Sequence, residues 1–194
     1  MAYSTPVTPV ATAQLITAAN CQTWSDDIIW LAGLKYNASA LSALASSAEI
    51  NTAISAKAHN SGTESINNTT WTPVTYDSEG ANGWDSSNIH SVASNTDRFT
   101  VPVAGKYVVF GEVYWAANAT GFRAMRVTVN STQVSEDYRI NLVATAFTMN
   151  HSWVVNCAAN DIIRIEVYQS SGGALNITNV SAYGISASVT LLGV

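Results

Sequence analysis

Histidines and paired acids are the residues with which catalysis near neutral pH would begin. The chain has three histidines. His59 falls in a polar stretch, His90 in a loop-like stretch and His151 on an apolar strand face, where a core or interface imidazole is expected. Nucleophilic catalysis needs a nucleophile, a base and an orienting acid together. Ser and Thr abound, but no G-x-S-x-G singles one out. Glycoside hydrolysis needs two carboxyls held several ångströms apart across a bond. Glu136 and Asp137 are adjacent, so a strand would point them to opposite faces; they are expected in an exposed turn. No H-E-x-x-H or C-x-x-C offers a zinc site, and no G-x-x-x-x-G-K-[ST] offers a phosphate cradle. The sequence thus names no catalytic residue, no metal ligand and no cofactor.

Composition narrows the classes further. Of 194 residues, 47% are hydrophobic and only 11% charged, against about 25% charged in an average soluble domain. A surface of Ser, Thr, Asn and Ala with few charges is common where subunits pack together. The net charge is −5, and the eight Lys and Arg are scattered apart from Arg123 and Arg126. Nucleic-acid binding needs phosphate-neutralising cations on one face, so that class is excluded. Two distant cysteines, Cys21 and Cys157, are expected as free thiols packed like small apolar residues. The first 20 residues lack a basic start and a continuous apolar core, so no cleaved leader is expected. No run of 18 apolar residues occurs, so no membrane-spanning segment is expected.

The elements that would position a site fall into four stretches. Residues 1–16, with Pro6 and Pro9, suit an extended arm. Residues 17–58 predict a helical attachment or stalk segment: Thr17 offers a cap, Cys21, Trp24, Ile28 and Leu31 recur at three- and four-residue steps, and an Ala- and Leu-rich stretch comes next. That narrow stripe needs a partner surface, with Trp24 as its anchor, and residues 1–58 are expected to be dispensable for the fold of the C-terminal domain. Residues 59–70, HNSGTESINNTT, read as a linker.

From Trp71 the period changes to two. Lys106–Ala117 reads as one long strand, and alternation recurs around Arg123–Val129, Phe147–Val155, Ile163–Val167 and Ile185–Leu192. Many short strands with polar turns predict a sandwich or barrel over 71–194. The long strand is apolar on both sides: Tyr107, Val109, Val113 and Trp115 on one, Val108, Phe110 and Tyr114 with Glu112 on the other. A strand with one solvated side should be polar there. A subunit partner is the simplest cover, so Val108, Phe110, Tyr114 and His151 are the expected subunit-interface residues.

These strands carry a resemblance. Trp71–Asp77 resembles the first strand of C1q-like domains, and Trp84–Asp85 the stretch after it. Arg98–Tyr107 is similar to the family's F-x-V-P-x-x-G-x-Y run, Arg123–Asn130 to its R-x-x-x-x-x-N strand, and Gln169–Gly172 to its Q-x-S-G turn. Ala159–Asn160–Asp161 stands where the family has Ala-Gly-Asp, with Asn160 suited to the left-handed turn. The resemblance implies an all-β, ten-stranded C1q/TNF-like jelly roll that assembles as a homotrimer, without catalytic apparatus, and binds through exposed loops, here Tyr76–Gly83, Asn118–Thr120 and Ser170–Ala174. Some members bind calcium; Asp77, Glu79 and Asp85 could supply oxygens but lack tight loop spacing, so solvated turn acids are expected.

Leu15–Ala19 followed by Trp24, Asp26–Asp27 and Leu31 resembles a segment near the N-termini of tailed-bacteriophage structural proteins that carry such domains. The preceding Asn of that pattern is absent, and Asp27 stands where Asn is usual. Together the two resemblances imply a virion structural protein made in the host cytoplasm and displayed on the virion surface. It would be a trimeric knob on head or tail, a decoration or fibre component, attached to capsid or tail proteins through Cys21, Trp24, Ile28 and Leu31. Adhesion to a host glycan or protein is a further role that such a knob permits. The alternative is a secreted bacterial C1q-like recognition module binding glycan or protein; a leader or a Gly-X-Y stalk would favour it.

Overall fold

The computed structural model describes residues 54–80, 83–180 and 184–194. The expected arm and nearly all of the helical segment, with Cys21, Trp24, Ile28 and Leu31, lie outside them. Among the described residues twelve strand segments form, three only two residues long, where the resemblance implied ten strands. In chain order they are β1 (Ser55–His59), β2 (Thr63–Ile66), β3 (Thr72–Pro73), β4 (Trp84–Asp85), β5 (Phe99–Thr100) and β6 (Gly105–Trp115). They continue with β7 (Phe122–Val129), β8 (Thr132–Ile140), β9 (Phe147–Cys157), β10 (Ile162–Gln169), β11 (Leu175–Thr178) and β12 (Ile185–Gly193). One sheet runs β9, β6, β12, β1, β4, with β11 bonded to the end of β6 and β2 beyond it. The other runs β10, β7, β8, with β3 and β5 along the free side of β10. All of the pairings are antiparallel.

Alternation builds the core between the sheets. In β6, Tyr107, Val109, Val113 and Trp115 are fully buried, and from Tyr107 onward every second residue of the strand is buried. Ile163, Ile165 and Val167 of β10, Met125 and Val127 of β7, and Ala187 and Val189 of β12 meet them. Gly111 marks a close approach between the sheets: a Cβ there would lie 2.8 Å from Ile165 Cδ1 and 3.2 Å from Met125 Sδ. Cys157 is a buried free thiol, and burial pushes its pKa up to about 11. Asn130 and Ser131, at φ of 50° and 68°, join β7 to β8 in the two-residue, left-handed turn that matches strand twist. Asn160 takes φ of 69°, as its place before a strand implied.

The domain starts earlier than the sequence suggested. Both sheets lie within Thr52–Val194. β1 and β2 occupy the end of the expected helical segment and much of the expected linker. β1 pairs with β12 on one side and β4 on the other. Its Ala56 and Ala58 are fully buried, so tertiary burial overrides the helical preference of alanine. Glu136 and Asp137 belong to strand β8 and not to a turn. Tyr76, expected in an outward loop, is fully buried.

Candidate functional site

The residues that suggested chemistry serve the loops. The His90 side chain is fully buried, its Nδ1 3.0 Å from Glu79 Oε1, and its ring packs against Tyr76 and Phe99. Asp77 accepts hydrogen bonds from the Ser61 amide and hydroxyl, both at 2.7 Å. Asp85 accepts from the amides of Ser87, Ile89 and His90. Asp85 organises its own turn, whereas Asp77 and Glu79 tie their loop to Ser61 and His90 from other segments, and among the described residues no three His, Cys, Asp or Glu converge on a metal position. His59 lies in β1, opposite Ser186.

His151 lies apart from the other expected interface residues. In β9 it is paired with Gly111, so its side chain shares the inward side with Trp153 and not the outward side with Phe110. Its ring centroid is 4.9 Å from that of Trp153, and its Nδ1 is 3.9 Å from Asp137 Oδ2 at the edge between β8 and β9. No hydroxyl among the described residues is hydrogen-bonded to it, so the pair lacks a nucleophile.

Val108, Phe110 and Tyr114 do come together. They lie with Glu112 on the outer side of β6, each half-buried in the single chain. Register extends this face sideways. Phe110 sits between Ser188 of β12 and Ser152 of β9, Val108 between Thr190 and Val154, and Glu112 between Ser186 and Asn150. Val154 is 62% exposed. The small hydroxyl side chains of Ser188, Ser152 and Thr190 leave shallow relief beside Phe110 and Val108 that another surface could enter. Burial pushes the Glu112 carboxyl above the usual glutamate range, while the Asn150 side chain and Lys57 pull it partly back. At the far side Lys57 lies over the Trp84 ring, 5.8 Å from its centroid, and Trp84 Nε1 donates to Ser55 Oγ at 2.9 Å. The face sets three large apolar side chains of β6 and Val154 among hydroxyl and amide side chains, with one carboxyl whose charged form is already disfavoured.

A second surface has no local signature in the sequence. On the outer side of the other sheet, four rings form a continuous row across the strands. Trp71 and Tyr168 centroids are 5.3 Å apart, Tyr168 and Phe122 stack at 5.3 Å, and Phe122 meets Tyr138 edge-on at 6.4 Å. These residues come from four separate parts of the chain, so no spacing announces them. Arg123, in contrast, is fully buried on the inner side of β7 and ties down the neighbouring loop by donating to the Asn118, Thr120 and Phe122 carbonyls.

No family model matches the chain, and no curated protein matches it. Solved structures do. The Eiger TNF from S. frugiperda aligns with a TM-score of 0.51 at 12% identity, over 73% of this chain and 93% of that one. The globular domain of zebrafish complement 1qA gives 0.52 at 14% identity, over 72% of this chain and 97% of that one. Murine APRIL gives 0.54 at 12% identity, over 72% and 99%. At such identities the likeness concerns the backbone arrangement alone: the chain has the C1q/TNF-like jelly-roll fold.

Proposed function

We propose that the chain is a non-enzymatic virion structural protein of a tailed bacteriophage, a homotrimeric knob held to capsid or tail proteins by residues N-terminal to the jelly roll. The observation that carries the assembly half is the apolar outer face of β6. Val108, Phe110 and Tyr114 stand half-buried in the single chain, with Ser188, Ser152, Thr190, Thr148 and the exposed Val154 opposite them. Three copies around a closed axis would cover this face in every copy. The folds it resembles typically form homotrimers, which supports the reading. The virion half rests on the N-terminal resemblance through Leu15–Ala19, Trp24, Asp26–Asp27 and Leu31. Adhesion to a host surface is the third element of the reading, and it gains avidity from three copies.

The test has two arms. Light scattering of the full chain should return three times the single-chain mass of 20.6 kDa. Mass spectrometry of purified particles from infected cells should find the protein at fixed stoichiometry to a capsid or tail protein. A monomer mass at micromolar concentration removes the knob; absence from particles removes the virion role, and recovery from culture medium free of particles supports a secreted recognition module instead.

A further inference from the structure

We propose that the outer face of the β10–β7–β8 sheet is a carbohydrate-binding surface, taking an uncharged oligosaccharide along the ring row Trp71–Tyr168–Phe122–Tyr138. The proposal rests on the adhesion element of the proposed function, and it concerns a different face from the one bearing Phe110. The rings run in the strand-to-strand direction at centroid spacings of 5.3 to 6.4 Å. Tyr138, at the sheet edge, is 66% exposed. Beside it runs a second row made of planar polar groups. Arg126 Nε donates to Glu166 Oε2 at 2.7 Å, Arg126 Nη1 donates to Gln133 Oε1 at 3.0 Å, and Gln133 Nε2 donates to Glu136 Oε2 at 3.0 Å. The Arg126 guanidinium also lies 4.2 Å from the Trp71 ring centroid, which joins the two rows into one rigid surface.

The chemistry of the two rows selects the ligand. An apolar helix or strand laid here would strip water from Gln133 and Glu136, both exposed, without replacing their hydrogen bonds. A nucleic acid would meet two carboxylates for one guanidinium on a chain of net charge −5. A polyhydroxylated ring has what both rows need: C–H groups to lie against the exposed Tyr138 ring and the outward edges of the partly buried Phe122, Tyr168 and Trp71 rings, and hydroxyls to donate to carboxylate oxygens. Glu136 uses Oε2 within the chain, which leaves its Oε1 to accept from a hydroxyl, and Tyr138, exposed beside it, contributes a phenolic hydroxyl that can donate or accept. The polar row is already satisfied and held in place without ligand, so little ordering is needed on binding.

The experiment uses the full chain and a panel of neutral hexaoses (cello-, malto- and chitohexaose), with polygalacturonate as the anionic comparison, read by calorimetry and by tryptophan fluorescence. At least one neutral hexaose should bind in the millimolar range or tighter. Tyr138→Ala, at an exposed position, and Trp71→Ala should each weaken it about tenfold, the scale of losing one ring contact, while Trp71→Phe retains most of the binding. Phe110→Asp on the opposite face, which should abolish assembly, should leave hexaose binding per chain unchanged, so a failure of trimer assembly is told apart from a failure of this proposal. Circular dichroism and melting confirm that each variant is folded. Failure of all three neutral hexaoses to bind at about 10 mM, binding undiminished in both ring-to-Ala variants, or binding of polygalacturonate alone overturns the proposal.

Discussion

Phe110→Asp is the sharpest test of assembly. In the single chain Phe110 lies on the outer side of β6 between Ser188 and Ser152, half-exposed. An aspartate there stays in contact with water and removes nothing from the core, which lies on the opposite side of the strand. The monomer should therefore fold, with slight loss from repulsion by Glu112 two residues along the same face. Assembly is different. A closed three-fold ring would bury the new carboxylate in all three copies at once. Burying an unpaired charge costs several kcal/mol after relaxation; at about 3 kcal/mol per copy, the ring loses about 9 kcal/mol. Each 1.4 kcal/mol is a factor of ten, so the overall dissociation constant should rise by roughly six orders of magnitude. Sedimentation velocity at micromolar concentration should show wild type at three times the 20.6 kDa chain mass and the variant at the single mass. Phe110→Leu, which keeps an apolar side chain, should remain assembled. A Phe110→Asp protein that stays trimeric refutes the reasoning.

The geometry sets three other outcomes. Gly111→Ala should destabilise the domain by about 1–3 kcal/mol in urea melts, because its methyl group would press on Ile165 and Met125; an unchanged midpoint would mean the sheets separate easily there. Glu112 has its pKa raised in the fold mainly by burial, so ionising it opposes folding, and the stability it contributes is present at acid pH and lost as pH rises through its folded pKa. Glu112→Gln should therefore gain on wild type between pH 4 and pH 7, and equal melts at both values would dismiss burial as the cause. A chain starting at residue 52 should melt cooperatively as a β domain, whereas one starting at residue 59 should not, since it lacks β1 from between β12 and β4.

Much of the fold was legible where side chains are large. β6, β10 and β12 alternate bulky apolar residues with others, and period two alone locates them. β1 was not legible: Ser-Ala-Lys-Ala-His alternates too, but with alanines, whose small size fits helix and strand alike. Only its neighbours β12 and β4 decide the matter. The outer face of β6 was readable because three large apolar side chains share one side of one strand. His151 was misgrouped because its face depends on register, and its partner across the sheet is Gly111 and not Phe110. The ring row was beyond reach for a related reason. Trp71, Phe122, Tyr138 and Tyr168 become neighbours only when the sheet fixes Ala124 opposite both Tyr168 and Tyr138.

The position of β12 bears on how the domain is made. Among the described residues it is the last strand in chain order, yet it lies in the interior of its sheet, between β6 and β1. While a ribosome is still adding residues 185–193, β6 and β1 have been synthesised but cannot be joined, and β6 shows an unpaired edge flanked by valines, Phe110 and tyrosines. Such edges template association with other nascent chains. Closure also waits on contacts between segments more than a hundred residues apart, Ser55 with Thr190 among them, and pairings of that separation fold slowly. Chains interrupted shortly before β12 should accumulate as aggregates in the producing cell.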